Sequence, residues 1–582
     1  MVDPKTNDRR LGRRGCRIVS LALGLIFGCS IAFGESFDQS NSIAPFAERG
    51  VASIIVLFAL CVALAVAFEL VFRFIEHVSS LRSKIDRKSI AGPKRALFEL
   101  LDGDFSFVLV FVVLVIAWCP WLFSFYPGLT DADTISQLLQ AAGMAHPSDH
   151  HPYFDSLIFS FFIQTGIQLG SSSYGLFAYA CLQLAAAALG MSFALNRLKV
   201  WGCPRSVRLA LFLFIAIVPL FPIMSLSMMK DSLFAVVFLP WFVLFADIVW
   251  SKGGRCSDMR VLAAFALFAF LCCMTKKTGV YVVAICSVVG LIWLMRGSRL
   301  RFASSVACGI LPFLIWTQLI LPSWNIPPGS SAEMLSVPSQ QVARYASSYE
   351  LTQEERDAIQ RVFACTPEEL AAGYDPRRSD YTKGFWIGGN TEDLADFAQA
   401  YLGMFSKHPG TFISATWNNI YDYFYPKKQI MFGTWPNFED KYIVGAVPLC
   451  YEYVTEDQIR SYFNDLIVDM NDLQRDPPLA RYVFVGVEQL PLVGILFTQA
   501  LYCSWIPFIL VGLSIRRKSM KLFICAIPCL VILLTLVAGP ISLSRYMPAS
   551  VYTAIVLAGL LFCSARDTSQ EAVKKADGAA SG

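Results

Sequence analysis

Charge is scarce in this sequence. Only 16% of its 582 residues are Asp, Glu, Lys or Arg, against about 25% in an average soluble chain. The length alone suggests several domains, but so little polar surface cannot cover several separate globules. Metal-binding spacing is missing as well. The 17 cysteines contain no Cys-x-x-Cys pair, and Cys61, Cys181, Cys272, Cys273, Cys286 and Cys525 lie in apolar runs, where a free thiol acts as a small hydrophobe. No basic cluster with interleaved aromatics is present, so no nucleic-acid partner is expected. Internal repeats and low-complexity tracts are also lacking. Histidine occurs only five times, and Lys plus Arg exceed Asp plus Glu by four, 48 against 44.

What fills the chain is hydrocarbon. Hydrophobic residues make up 55% of it, and its mean hydropathy is +0.53. A helix needs roughly 20 apolar residues to cross about 30 Å of bilayer interior. Runs near that length stand at 17–33, 51–76, 106–126, 174–195, 206–222, 232–250, 261–275, 278–295, 303–321, 491–515, 521–539 and 547–564. The expected fold class is all-α, a polytopic membrane protein with about twelve transmembrane helices.

A further apolar run, 152–170, carries Asp155, Gln164 and Gln168. If it stays out of the bilayer, the basic segments all fall on one side. These are Arg9–Arg17, Arg82–Arg95, Arg197–Arg208, Lys252–Arg260, Arg296–Arg301, Arg516–Lys521 and a tail with Lys574 and Lys575. The other side receives 34–50, with Arg49 alone, the cation-free loop 127–173, and turns at Lys230, Lys276–Lys277 and Arg545. The positive-inside rule favours this arrangement. The 152–170 run is therefore expected to be a juxtamembrane or re-entrant helix, with both termini cytoplasmic. The first run also fits a signal peptide, which leaves the later orientation unchanged.

Between 322 and 490 charged residues, prolines and aromatics return. This segment is expected to form one external, mainly helical domain before the last three spans. Thr352 with Glu355 three residues on is a capping-box signature within it. The expected organisation is a 1–105 region (tail, two extra spans and a basic loop), a 106–321 transmembrane core with the first external loop at 127–173, the 322–490 domain, three spans in 491–564, and a cytoplasmic tail at 565–582. Cys365 and Cys450 lie in the polar segment, where an oxidising compartment would let them pair.

Ionisable residues near membrane depth are costly, which makes their placement informative. In Tyr126-Pro-Gly-Leu-Thr-Asp-Ala-Asp, the Pro-Gly pair breaks a helix and Thr130 or Asp131 can cap a new one. Asp131 and Asp133 then sit within one turn, suited to taking a proton from a hydroxyl or holding a divalent metal. Three of the five histidines, His146, His150 and His151, cluster in the same loop and suit proton transfer, phosphate contact or metal binding. Lys230-Asp231 and Lys276-Lys277 place cations in short external turns, either as interfacial anchors or for phosphate oxygens. Gln341, Arg344 and Tyr345 share a helical face if their segment is a helix. Arg545 lies at the start of the final span, where a snorkelling anchor is the plain alternative.

The order of these motifs resembles the C-type (GT-C) glycosyltransferases of bacterial membranes, on a branch related to protein mannosyltransferases and aminoarabinose transferases. The resemblance rests on Tyr126-Pro-Gly with Asp133 and Gln137, His151-Pro152, Lys230-Asp231, Ser339-Gln-Gln-Val-Ala-Arg, Tyr374-Asp-Pro with Asp380 and Lys383, and His408-Pro with Tyr423-Phe-Tyr-Pro. It covers roughly residues 106–550 and leaves out the first two spans. It implies a GT-C-like fold and transfer of a sugar from a polyprenyl-phosphate carrier, with inversion, to a glycan, lipid or protein acceptor at the outer face of the plasma membrane. It implies catalytic carboxylates at Asp133, Asp131 and Asp231. Substrate contacts would fall to His150, His151, Lys230, Lys276, Lys277, Gln341, Arg344 and Arg545. An Asp-Glu pair found in better-known relatives is missing from the first loop, which leaves open whether Mg or Mn is used; Asp131, Asp133 and His151 would be its ligands. A transporter or flippase of lipid-linked sugars and a surface-polysaccharide polymerase or ligase are the alternatives. Transporters place their sites at midplane, often with repeat symmetry, which this sequence lacks.

Overall fold

The computed structural model describes residues 4–81, 100–427, 438–467, 479–490 and 493–563, with side chains from Arg17 onward. The expected basic loop Arg82–Arg95, the tail 565–582 and the first residues of the 491–515 run lie outside the described residues. The fold is nearly all helical; its only described sheet pairs two strands of two residues each.

Each of the twelve apolar runs contains helix among its described residues, but fewer qualify as spans than expected. Seven helices are long and apolar enough to cross a membrane: Arg17–Ser40, Val51–Ser80, Ser106–Ser124, Ser172–Val200, Lys230–Trp250, Arg296–Ser323 and Met520–Val537. Met259–Thr275, Gly279–Trp293, Leu501–Arg516 and Pro548–Leu561 are apolar but shorter. The run at 206–222 is broken. Its helix Arg205–Ile217 stops because Val218, which precedes Pro219, is extended at ψ 120°, as a residue before proline prefers. The 152–170 run is a 16-residue helix, Tyr153–Gln168, which packs on Ser172–Val200.

Lys230–Trp250 is the hub of the bundle. It is apolar on every side, so it belongs inside, and nearly all its residues are buried against Ser172–Val200, Met259–Thr275 and Pro548–Leu561. Elsewhere glycines let helices touch through their backbones. A Cβ on Gly24 would stand 2.5 Å from the Cys61 carbonyl oxygen, and one on Gly28 2.5 Å from the Cys61 sulfur. This small-residue spacing joins the two N-terminal helices in the manner of membrane helix pairs. Gly166 and Gly175 do the same for the Tyr153–Gln168 and Ser172–Val200 pair.

The bundle has two ionic rims. A helix of 21 residues, such as Lys230–Trp250, is about 30 Å long, so Lys230 and Asp247 mark opposite ends. At the Asp247 end, Asp247 meets Arg197 and, at 2.9 Å, Arg255. Nearby Asp102 meets Arg205 and, at 2.6 Å, Arg208. Glu69 of the N-terminal hairpin is 2.7 Å from Arg516 at the end of Leu501–Arg516.

The polar segment divides between two cores. Val342, Ile359, Val362, Leu370, Met404 and Phe412 form one of their own. Phe438, Ile443, Ile459 and Phe463 instead join Ile135, Leu138, Phe159 and Ile163 from the first loop. Cys365 packs against the former and Cys450 against the latter, and both are free thiols, so the considered pairing is absent. The N-terminal hairpin, which lies outside the family resemblance, is docked firmly. The Asn41 carbonyl accepts from Asn418 at 2.8 Å, and Tyr421 donates to Asp38 at 2.9 Å.

Candidate active site at the Lys230 rim

The site is assembled by the short parallel pair β1 (Leu129–Thr130) and β2 (Ser227–Met228), with Leu129 opposite Ser227 and Thr130 opposite Met228. Gly128 enters β1 at φ +142°, where a Cβ would also crowd the Leu176 side chain at 3.2 Å, so glycine is required. Asp131 follows β1 in extended conformation and caps Ala132–Ala141 by accepting the Asp133 N–H at 3.3 Å. The Thr134 hydroxyl donates to the Met228 carbonyl at 2.6 Å and fastens this helix to β2. Since β2 leads directly into Lys230–Trp250, residues 97 positions apart meet.

Lys230 Nζ lies 2.9 Å from Asp133 Oδ2 and 2.6 Å from His151 Nδ1. The other carboxylate oxygen of Asp133 lies 3.3 Å from Arg545 Nη1. Arg545 also pairs with Asp131 and donates to the Tyr546 hydroxyl at 3.1 Å. Flanking pairs join Lys276 to Asp231 at 2.5 Å and Lys277 to Asp149 at 3.2 Å. Four carboxylates thus face four cations.

These neighbours set the protonation states. Burial opposes ionisation of Asp133, but Lys230 and Arg545 outweigh it and hold the carboxyl well below its usual range. At Asp131 burial wins over Arg545 and, with the charge of Asp133, raises the carboxyl. Burial and Lys230 lower His151 to about 3, so its imidazole is neutral at ordinary pH. Its Nδ1 then accepts from the lysine ammonium, which assigns the remaining proton to Nε2. His150 is lowered too, by burial first, while the charge of Glu333 opposes.

Of the residues expected from sequence, Asp131, Asp133, His151, Lys230 and Arg545 form one cluster, with Asp231, Lys276 and Lys277 on its flank. Gln341 and Arg344 are engaged elsewhere. Gln341 bonds Thr416 at 2.8 Å and accepts from Tyr401 inside the core around Val342 and Phe412. Arg344 bonds the Tyr374 hydroxyl at 3.0 Å and reaches the Asn41 carbonyl at 3.4 Å. The 322–490 segment reaches the site through other residues. Lys383 bridges Glu333 at 2.7 Å and Asp380 at 2.9 Å, and its charge is felt at His150. Glu333 and Tyr546 carried no sequence signal, Asp149 entered only as the carboxylate beside the clustered histidines, and Asp380 and Lys383 only through the family pattern.

Asp155 was also missed as a site residue. It is wholly buried in the first turn of Tyr153–Gln168, and among the described residues neither carboxylate oxygen has a hydrogen-bond partner. Burial raises its acid well above the usual range. Gln137 Oε1 and Ser232 Oγ nearby in sequence to the site also lack partners. The signal was present: the one charged residue of the 152–170 run.

The donor set does not fit the Mg or Mn considered for Asp131, Asp133 and His151. Both Asp133 oxygens face cations, His151 Nδ1 faces an ammonium, and among the described residues no three His, Cys, Asp or Glu side chains converge as metal ligands.

A cleft of about 430 Å³ opens beside the cluster. Asp149 and Lys277 stand at its polar end, and Val280, Phe313, Leu314 and Trp316 form an apolar wall. Part of that wall is a π-helical turn, Trp316–Ile320, a distortion that often accompanies functional sites. Fold and site together define a class, a multi-helix membrane protein with a charged, carboxylate-centred site at one rim. Residues 143–576 match a family of unknown function, DUF6020. That is three quarters of the chain, which belongs to this family. No curated protein and no solved structure matches it.

Proposed function

We propose that the chain is an integral membrane glycosyltransferase that moves a sugar from a polyprenyl-phosphate donor to an extracytoplasmic acceptor, with Asp133 as its base. The observation that carries this reading is the seat of Asp133. It faces two cations beside a cleft that passes from Lys277 to an apolar wall. A lipid-linked phosphosugar is such a molecule, with an anionic head and a hydrocarbon tail.

With no donor bound, the four carboxylates and four cations balance. A phosphodiester adds negative charge and competes for Lys230 and Arg545. Each cation drawn towards phosphate raises the proton affinity of Asp133, so donor binding turns a weak base into a competent one. The acceptor hydroxyl then gives its proton to Asp133 and its oxygen attacks the anomeric carbon. The bond from that carbon to the phosphate oxygen breaks, and polyprenyl phosphate leaves with the electron pair, stabilised by the freed cations. Single displacement inverts the anomeric centre. Neutral His151 steadies the Lys230 ammonium, and Asp131 steadies Arg545. The reading places this rim outside the plasma membrane and the termini in the cytoplasm, as the basic opposite rim favours.

The test is transfer of radiolabelled sugar from polyprenyl-phosphate donors by the purified protein, wild type beside Asp133→Asn. We expect the variant to lose about 10²–10⁴-fold in rate while still binding donor. Full transfer by Asp133→Asn would remove the carboxylate from the mechanism. Uptake of label into sealed vesicles without transfer would replace the enzyme with a transporter.

A further inference from the structure

A second cavity lies away from the carboxylates. It encloses about 500 Å³ between Gly143–Met144, Gly170–Ser172 and the 453–465 stretch, within the roughly 300–1,000 Å³ of small-ligand sites. The helix Ala132–Ala141 separates it from Asp133, a distance of about 15 Å at roughly 1.5 Å per residue.

Its lining mixes polar groups with the apolar Met144, Ile167 and Val454 and carries no Lys or Arg. Tyr453, Gln458, Ser461, Tyr462, Asn464 and Asp465 supply hydroxyls, amides and one carboxylate. Among the described residues, the side chains of Ser461, Asn464 and Asp465 make no hydrogen bond, and the Asp465 backbone carbonyl accepts from the Ser173 hydroxyl at 2.9 Å. Gly143 and Gly170 have φ of +72° and +110°, and nothing lies within 4 Å of where their Cβ atoms would stand, so bare backbone faces the space.

A row of rings leads from the loop of His150 and His151 to this cavity. His146 lies 4.2 Å from Tyr451, which stacks on Tyr453 at 5.3 Å with 7° between the rings. Tyr453 is 71% exposed, so packing alone does not account for it. Ring faces carry negative potential and attract C–H edges, and the amides and hydroxyls beside them both donate and accept. That combination suits a neutral polyhydroxylated ligand. An anionic ligand would want cations for charge-assisted bonds, and a peptide would want a strand edge or deep apolar pockets.

We propose that this cavity, with the His146–Tyr451–Tyr453 row, binds a neutral oligosaccharide, the part of the acceptor remote from the reacting hydroxyl. The role as acceptor subsite rests on the transferase reading, but the binding itself does not. It therefore singles out a glycan as acceptor from the glycan, lipid and protein that the sequence leaves open.

The experiment is binding of the full chain, in lipid nanodiscs free of sugar detergents, to an array of neutral oligosaccharides, anionic oligosaccharides and peptides. Wild type is compared with Tyr453→Ala and with Asn464→Ala, both at exposed positions and both checked for unchanged Tm. We expect one or more neutral oligosaccharides to bind wild type and each variant to weaken that binding at least tenfold. No neutral oligosaccharide bound, binding equal in wild type and both variants, or binding confined to anionic glycans or peptides would overturn the proposal. The array contains no donor, so neutral-glycan binding without any transfer activity would count against the transferase reading alone.

Discussion

At the scale of single residues, the least comfortable group is Asp155, a carboxyl with no hydrogen bond among the described residues and no exposure. Burial keeps its proton on in the folded chain, whereas an unfolded Asp releases it near about 3.9. Above that pH the folded state holds more protons than the unfolded one, so this residue makes stability fall as pH rises. Below about pH 4 both states are protonated and the penalty vanishes. Asp155→Asn removes the titration while keeping the shape. We expect it to raise Tm by a few degrees at pH 7.5 and to leave it unchanged at pH 4, measured by thermal unfolding of the purified protein across that range. A variant that loses stability at pH 7.5 would show that Asp155 works as a carboxylate. Asp133 shows the contrast: two aspartates within one loop and the helix that follows it are driven in opposite directions, Asp155 by burial and Asp133 by the cations that outweigh its burial. Sequence shows the two aspartates and shows Lys230, but not that Lys230 sits on the first, because that contact spans 97 residues.

At the scale of elements, apolar runs are legible because a membrane-crossing helix needs length and hydrocarbon and little else. The capping box at Thr352 and Glu355 is equally legible and is present in full. The β1–β2 pair that builds the site is not, since two residues per strand carry no period to read. Nor does composition show that the 438–467 stretch deserts the rest of its segment for the first loop, because that choice is made by tertiary packing. The N-terminal hairpin gives an element-scale prediction. Gly24 Cα faces backbone, with a Cβ site 2.5 Å from the Cys61 oxygen and 2.7 Å from the Ala65 nitrogen. Neither atom can swing away as a side chain would. Gly24→Ala is expected to cost about 1–3 kcal/mol, the usual range for overpacking. Gly297→Ala, with nothing within 4 Å of its Cβ site, is expected to cost nothing. Parallel thermal melts in detergent decide the matter, and equal losses in both would mean that the hairpin does not pack through Gly24.

At the scale of the whole molecule, the two rims differ in kind. The rim at Asp247 gathers Arg197, Arg205, Arg208, Arg255 and Arg516 around Asp102, Asp247 and Glu69, with cations in excess. The rim at Lys230 sets carboxylates and cations in equal number. Basic residues in short loops are retained on the cytoplasmic side, so the proposed orientation puts the first rim inside and the site outside. Seven long spans leave the shorter helices to complete the crossing, and modest mismatch in length is tolerated by local thinning or by neighbouring helices. The bundle can therefore hold this orientation without every helix spanning alone. An epitope inserted after Glu350, an exposed loop position beside the core around Val342, should bind antibody in intact cells. One inserted after Ser257, an exposed position beside Arg255, should bind only after permeabilisation. The reverse pattern would turn the chain over and put Asp133 in the cytoplasm. An acceptor on the outer face would then be out of its reach, and the charge balance around Asp133 would have to serve a donor and acceptor that meet on the inner leaflet.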